Sequence, residues 1–269
     1  MIYATADYDL LELRCLGQVC LSLLGESALA AALNSGTDVH LSVAAQLLGI
    51  SYKQAFAQKS EPEVAEARQL AKVLNFGLPG GLGAKMFALF ARKATGGRVQ
   101  ISEARAKELK ETWLATWPEM RAYFRLISDA CGPDGATVRH LFSNRIRAGA
   151  KYTEACNSYF QGLGADATGH ALFLISKACY VRGAEGENAT ESPLFGCRVV
   201  NYVHDEFILE VPEERGAAAA NELMRLMIKG ANVFLPDVPA TAEPKLMRFW
   251  SKDAKAIRNP EGVLVPWPN

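Results

Sequence analysis

The sequence lacks a net charge: 29 lysines and arginines stand against 29 aspartates and glutamates. A global basic field of the kind that draws a protein onto nucleic acid is therefore excluded, and any phosphate contact must come from a local patch. No apolar run is long enough to span a bilayer, and the N-terminus lacks the charged start and apolar core of a secretory signal. No membrane partner is expected, and the cytoplasm is the expected compartment. Cys-x-x-Cys pairs are absent too. The six cysteines, at 15, 20, 131, 156, 179 and 197, are scattered, with no histidine at metal-ligand spacing beside them. They read as reduced, buried thiols rather than as a disulfide framework or a zinc site. What remains is a 269-residue chain with 49% hydrophobic and 22% charged residues, an ordinary globular composition able to bury a large core.

A further absence is local. Across residues 199–211 two apolar, β-branched and aromatic runs flank His204-Asp205-Glu206, the pattern of a tight hairpin. Two-residue hairpin turns draw on Asn-Gly, Asp-Gly or Gly-X because the backbone needs positive φ there, yet this turn has no glycine. Two adjacent carboxylates take its positions instead. Departures of this sort concentrate at functional sites, and paired acids at a hairpin tip can hold a divalent cation. A solvated acidic turn is the plainer alternative. Near the N-terminus, residues 2–14 read as a short strand ending at Asp7 and leading into a helix from about Leu10. If that strand pairs beside the hairpin, Asp7 and Asp205 project from one sheet edge and can bridge two hard cations, as in-line phosphoryl displacement requires.

The most informative helix is expected over residues 62–77, with Pro62 at a first helical position and Glu63 and Glu66 near the positive end of the dipole. Arg68, Lys72 and Phe76 recur every fourth residue, so two cations and one ring share a face. An amphipathic surface helix would also carry such a row. A nucleoside triphosphate fits it better, with a guanidinium and an ammonium for phosphate and a ring beside base and sugar. Further helices are expected over residues 10–24, 27–33, 38–48, 84–95, 102–116, 157–181 and 212–231, with one more from Pro118 to about Ala130. Asp9 and Glu12 form an Asp-x-x-Glu capping signature, and residues 183–194 form a Gly-, Glu-, Asn- and Ser-rich loop. From Gly135 to Thr153 there is no acidic residue, while Arg139, Arg145, Arg147 and Lys151 supply positive charge around His140 and Phe142. This stretch reads either as a contact for a nucleic-acid backbone or as a basic loop on a solvated surface.

Three segments, in order along nearly the whole chain, carry a family resemblance. Asp7-Tyr8-Asp9-Leu10-Leu11-Glu12-Leu13-Arg14 resembles motif A of the family A DNA polymerases, the bacterial DNA polymerase I type. Arg68-x3-Lys72-x3-Phe76 resembles motif B, and Val203-His204-Asp205-Glu206 resembles motif C. The resemblance implies two Mg²⁺ ions held by Asp7, Tyr8 and Asp205, with Glu206 as a supporting carboxylate. It implies a triphosphate clamp of Arg68 and Lys72, the latter counted among the catalytic residues, joined by His40 of an Asp-x-His segment. Phe76 would lie beside the nucleotide and discriminate against dideoxynucleotides, and Glu12 would close off the space at the sugar 2′ position. Asn157 and Gln161, in Asn157-x3-Gln161-Gly162-x2-Ala165-Asp166, would contact primer–template DNA. So would Arg145, in the looser match Phe142-Ser-Asn-Arg145, while His204 would sit near the primer terminus. There are departures as well. Gly80 stands where the family has a tyrosine near the templating base, with Pro79 ending the helix early, and Thr153 replaces a common arginine.

The implied fold is α/β and mostly helical: a palm with a small antiparallel sheet from residues 1–33 and 150–269, and a helical fingers subdomain inserted at 34–149. The implied reaction is template-directed transfer from a deoxynucleoside triphosphate (dNTP) to a primer 3′ hydroxyl. Only six residues precede Asp7, so the thumb and the N-terminal part of the palm are expected to be missing. The ending at Phe249-Trp-Ser-Lys252 resembles that of phage-type members, so the chain is expected to be complete there and to be phage-encoded. A split polymerase whose separate chain carries the thumb and first palm segment, a truncated gene, and a degenerate relative all accommodate the short N-terminus. A reading from another class is a non-catalytic nucleic-acid- or nucleotide-binding assembly subunit of a replication complex, relying on the basic segment 139–151. A metal-dependent nuclease is a third, but it leaves Arg68, Lys72 and Phe76 without a purpose.

Overall fold

A computed structural model describes residues 1–183 and 191–268; most of the loop expected at 183–194 lies outside the described residues. In chain order the elements are β1 (Ile2–Tyr8), α1 (Leu11–Leu24), α2 (Ala28–Asn34), α3 (Val39–Leu48), α4 (Tyr52–Ala57) and α5 (Pro62–Gly77). Next come α6 (Ala84–Ala94), α7 (Glu103–Thr116), α8 (Glu119–Ala130), β2 (Ala136–Arg139), β3 (Ile146–Ala150) and α9 (Tyr152–Tyr180). The chain ends with β4 (Arg198–Val203), β5 (Glu206–Val211), α10 (Gly216–Asn232), β6 (Ala242–Met247), β7 (Ile257–Arg258) and β8 (Leu264–Val265). The mainly helical fold class with small antiparallel sheets is the one the sequence implied. The chain packs as two compact units, one of Met1–Leu11 with Gly164–Asn269 and one of Glu12–Leu163.

The first unit is built on an antiparallel sheet in the order β4-β5-β1-β6. In β1 side chains alternate between faces. Ile2, Ala4, Ala6 and Tyr8 are buried on one, while Tyr3, Thr5 and Asp7 project from the other, where Thr5 is buried and the two flanking residues are partly exposed. The buried face meets α10, which contributes Ala219, Leu223, Leu226 and Met227 to the core, and the Tyr8 hydroxyl donates to the Met227 carbonyl at 2.7 Å. Strand β6 was not anticipated, since Ala242-Glu-Pro-Lys-Leu-Met247 has no β-branched residue and contains a proline. Pro244 is tolerated because β6 lies at the sheet edge, where no outer neighbour needs its missing N–H. The helix expected from Pro212 begins at Gly216, after a single 3-10 turn at Glu213–Arg215.

The second unit is helical around a core that includes Leu41, Leu74, Phe87, Leu109, Trp113, Met120 and Tyr123. Its helix ends follow local chemistry. The Asp38 carboxylate accepts from the His40 and Leu41 N–H groups to start α3, and Pro62 opens α5. Glu119, at the start of α8, accepts from Ser27 Oγ at 2.8 Å and Leu29 N at 2.9 Å, so one helix caps another. The basic stretch is a hairpin, β2 with β3, and Leu10, with φ 55°, precedes α1. One expectation needs correction. Helix α9 begins at Tyr152 instead of Asn157, because the Glu154 carboxylate accepts the Lys151 N–H at 3.0 Å and caps it earlier.

The β4–β5 turn consists of His204 and Asp205 alone, and His204 has φ 57°. A bulky side chain in the left-handed region costs about 1–2 kcal/mol. Histidine tolerates the region better than a β-branched residue. His204→Val is therefore expected to lower unfolding stability in urea by about 1–2 kcal/mol, while His204→Gly stays within about 1 kcal/mol of wild type. Equal effects of the two substitutions would contradict strain at this turn.

Candidate active site

Within the first unit, strand register assembles the acids. Asp7 lies directly opposite Glu206 in the β1–β5 ladder, and the two-residue turn puts Asp205 next to it. The Asp7 carboxyl lies within hydrogen-bonding reach of that of Asp205. Burial, followed by the negative charge on Asp205, raises Asp7 to about 6 from an ordinary 3.8. Glu206 is also pushed up, by burial first and by Asp7 next. Lys245, on β6 opposite Thr5, works against both shifts, and the Trp250 side chain hydrogen-bonds to Glu206. Neither Lys245 nor Trp250 was singled out from the sequence. A strand without β-branched residues hid the lysine, and only the Phe-Trp-Ser-Lys ending hinted at the tryptophan. Tyr8 turns its ring into the core, which leaves only its main chain to serve as a ligand. His204 is exposed at the hairpin tip.

In the second unit, Arg68, Lys72 and Phe76 do share a face of α5, and α3 supplies the opposing side. Arg68 donates through Nε to Asp38 Oδ2 at 2.9 Å, and Lys59 Nζ lies 3.0 Å from the same oxygen. Burial alone would raise Asp38, but the hydrogen bonds from Lys59 and Arg68 bring it down to about 2. His40 stacks at an angle on Phe76, ring centroids 5.6 Å apart, and the Phe76 side chain stays 44% exposed. Burial, with Arg68 and Lys72 adding to it and Asp38 opposing, lowers His40 to about 4. Behind this face lies Asn75, 1% exposed. Its Oδ1 accepts from Trp113 Nε1 at 2.9 Å and Trp117 Nε1 at 3.0 Å, and its Nδ2 meets Val39 O at 3.3 Å and His40 Nδ1 at 2.9 Å. None of Asn75, Trp113 and Trp117 is a motif position named from the sequence. A polar amide one residue before the exposed ring was the available signal.

The same unit holds Asn157, Gln161 and Arg145 of the residues expected at DNA. Gln161 Nε2 donates to Glu12 Oε1 at 3.5 Å, a long bond that joins α9 to α1. Asn157 donates to Thr153 O at 2.8 Å, and its side chain fills the space beside Gly80: a Cβ on Gly80 would lie 2.8 Å from Asn157 Nδ2. The β2–β3 hairpin is pinned to α9 through Arg145 Nη2 on Gly162 O at 3.2 Å and Arg147 Nη1 on Ser158 Oγ at 2.8 Å. The His140 ring lies over Gly162 so closely that a Cβ there would be 2.2 Å from it. Phe142 and Asn144, at φ 63° and 59°, form the tip, and Phe142 is 48% exposed. Among the described residues, no three of His, Cys, Asp and Glu stand close enough to enclose a metal ion, and no helix is long and apolar enough to cross a membrane.

Comparison with known proteins bears on this geometry. The profile of DNA polymerase family A matches residues 1–252. DNA polymerase I of Aquifex aeolicus (strain VF5) is 26% identical over 251 residues, which cover 93% of this chain and 39% of that protein. DNA polymerase I of Mycobacterium tuberculosis (strain ATCC 25618 / H37Rv) is 28% identical over 261 residues, covering 93% of this chain and 25% of that protein. The POL domain of Pol1 from M. smegmatis, solved in complex with DNA primer-template and dNTP, superposes with a TM-score of 0.69 at 24% identity. The match covers 93% of this chain and 40% of that one. The chain thus spans well under half the length of the proteins it matches.

The raised Asp7 makes a pH prediction. Between 3.8 and about 6 the native chain binds more protons at Asp7 than the unfolded chain does, so this residue's contribution to stability falls as pH rises through that window. Asp7→Asn removes the step. In chelator-treated buffer the variant is expected to gain stability relative to wild type from pH 4 to pH 7, read by urea unfolding at each pH. A constant difference across the window would contradict the shift.

Proposed function

The chain belongs to DNA polymerase family A, and from that premise we propose that it carries the nucleotidyl-transfer site of a template-directed DNA polymerase, acting on dNTPs and primer–template DNA. Residues 1–33 and 150–269 would serve as palm and 34–149 as fingers. The single observation that carries the reading is the β1–β5 register, which brings Asp7, Asp205 and Glu206 of two matching motifs together at one end of the sheet. Two carboxylates this close form a donor set suited to a hard divalent cation, because an ion between them would offset the burial and the repulsion that raise Asp7. Asp7, Asp205 and the Tyr8 main chain would hold Mg²⁺, with Glu206 in support, and water and nucleotide oxygens would complete the shells. When bound, two such ions supply a lowered pKa at the primer 3′ hydroxyl and offset charge on the transferred phosphoryl group.

The chain's own side chains would do the positioning. Arg68 and Lys72 would bind the triphosphate, Arg68 doing so with the terminal nitrogens that its Nε bond to Asp38 leaves for other acceptors. His40 would donate to a phosphoryl oxygen, Phe76 would lie against base and sugar, and Glu12 would exclude a 2′ hydroxyl. Asn157, Gln161, Arg145 and His204 would contact primer–template. A second chain carrying a thumb and the N-terminal part of the palm would add to the grip on duplex.

Primer extension at high protein concentration, with Mg²⁺ and all four dNTPs, tests the proposal. Wild type is expected to incorporate and Asp205→Ala to lose at least about a hundredfold of that activity, the scale on which removal of a charge-stabilising group acts. Incorporation undiminished by Asp205→Ala would refute the assignment. The exposed basic hairpin supports a second reading, a non-catalytic DNA-binding subunit. DNA binding abolished by Arg145→Ala with Arg147→Ala, without incorporation by any variant, would favour it.

A further inference from the structure

We infer that Asn75 is a positioning residue that holds His40 as the neutral tautomer protonated on Nε2, so that α3 offers a phosphoryl oxygen a donor without a third positive charge. The inference rests on the reading of the α5 face as a triphosphate site, but its structural half stands on hydrogen-bond geometry alone. An asparagine amide has one accepting end and one donating end, and coordinates by themselves do not say which is which. Here three neighbours decide. The indole N–H groups of Trp113 and Trp117 can only donate, so the atom 2.9 and 3.0 Å from them is the oxygen. The Val39 carbonyl can only accept, so the atom facing it is the nitrogen.

That nitrogen also meets His40 Nδ1 at 2.9 Å, which makes Nδ1 an acceptor and leaves the ring proton on Nε2. Nε2 makes no hydrogen bond among the described residues, and the ring rests on the exposed Phe76 beside Arg68 and Lys72. The charged groups that face the ring are Asp38 from its own helix and Arg68 and Lys72 from α5, with Lys59 on the Asp38 carboxylate. Asp38 favours a proton on the ring; the two α5 cations and burial oppose it. An ordinary histidine would change charge across physiological pH. This one is built to stay neutral, so its contribution to an anion would not vary between about pH 5 and 8, where an adjacent imidazolium would have repelled the two clamp cations.

The test reads the tautomer directly, in the nucleotide-free chain labelled with ¹⁵N-histidine, by long-range ¹H–¹⁵N correlation. Wild type is expected to show His40 with bare Nδ1 and protonated Nε2 at pH 7, without titrating down to pH 5. Asn75→Asp replaces the donating amide by an oxygen that needs a donor, so a proton should appear on Nδ1 and the midpoint should rise by roughly two units. The same substitution should weaken dATP binding at pH 7 roughly tenfold. A wild-type ring protonated on Nδ1, or an unchanged tautomer in Asn75→Asp, would overturn the inference. If Asn75→Asp does not fold, Asn75→Ala removes the donor to Nδ1 altogether, and a mixture of tautomers is then expected; a pure Nε2 tautomer there would also overturn it. Because the tautomer is read without nucleotide, loss of the polymerase reading and loss of this one are separate results.

Discussion

Strand β1 is hydrogen-bonded on both sides, and its register is the constraint on which the acidic cluster depends. Side chains alternate faces with a period of two, so a slip of one residue would bury Asp7 among the alanines and turn Tyr8 outward. The slip is opposed twice. Ala4 and Ala6 are fully buried on the face that meets α10, and the Tyr8 hydroxyl donates to the Met227 carbonyl. Acids that repel one another are therefore assembled by apolar packing on the opposite side of the same strand, with Lys245 and Trp250 moderating the result.

The helical unit solves a different problem, that of presenting cations in a row without letting them wander. Arg68 is oriented by the carboxylate that also starts α3, so one residue, Asp38, ends a helix dipole, fixes a guanidinium and engages Lys59. Asn75 does the corresponding work from beneath, joining α5 to α3 and to two tryptophans through both ends of its amide.

Much of this was legible in the residues. The bounds of α5 follow from Pro62 at its start and Leu78-Pro79 at its end, and α3 from Asp38 and Gly49, because such signals act within one turn. The hairpin followed from alternation, and the missing turn glycine pointed to the acids. What was hidden depends on partners far away in sequence. Strand β6 has no strand-like composition and exists because β1 offers it an edge. The basic segment lacked a glycine at the tip of its turn, since Phe142 and Asn144 take the left-handed positions themselves. Asn75 and its two indoles are polar or aromatic residues of ordinary helical spacing, and only their convergence in space gives them a role.

Gly80 looks, in the sequence, like the loss of a side chain. In the fold the vacated space is taken by the amide of Asn157, so a side chain at 80 and the present position of Asn157 exclude one another. A side chain introduced at 80 would meet that amide first, so Asn157 would have to swing aside and give up its bond to the Thr153 carbonyl before the space could be refilled.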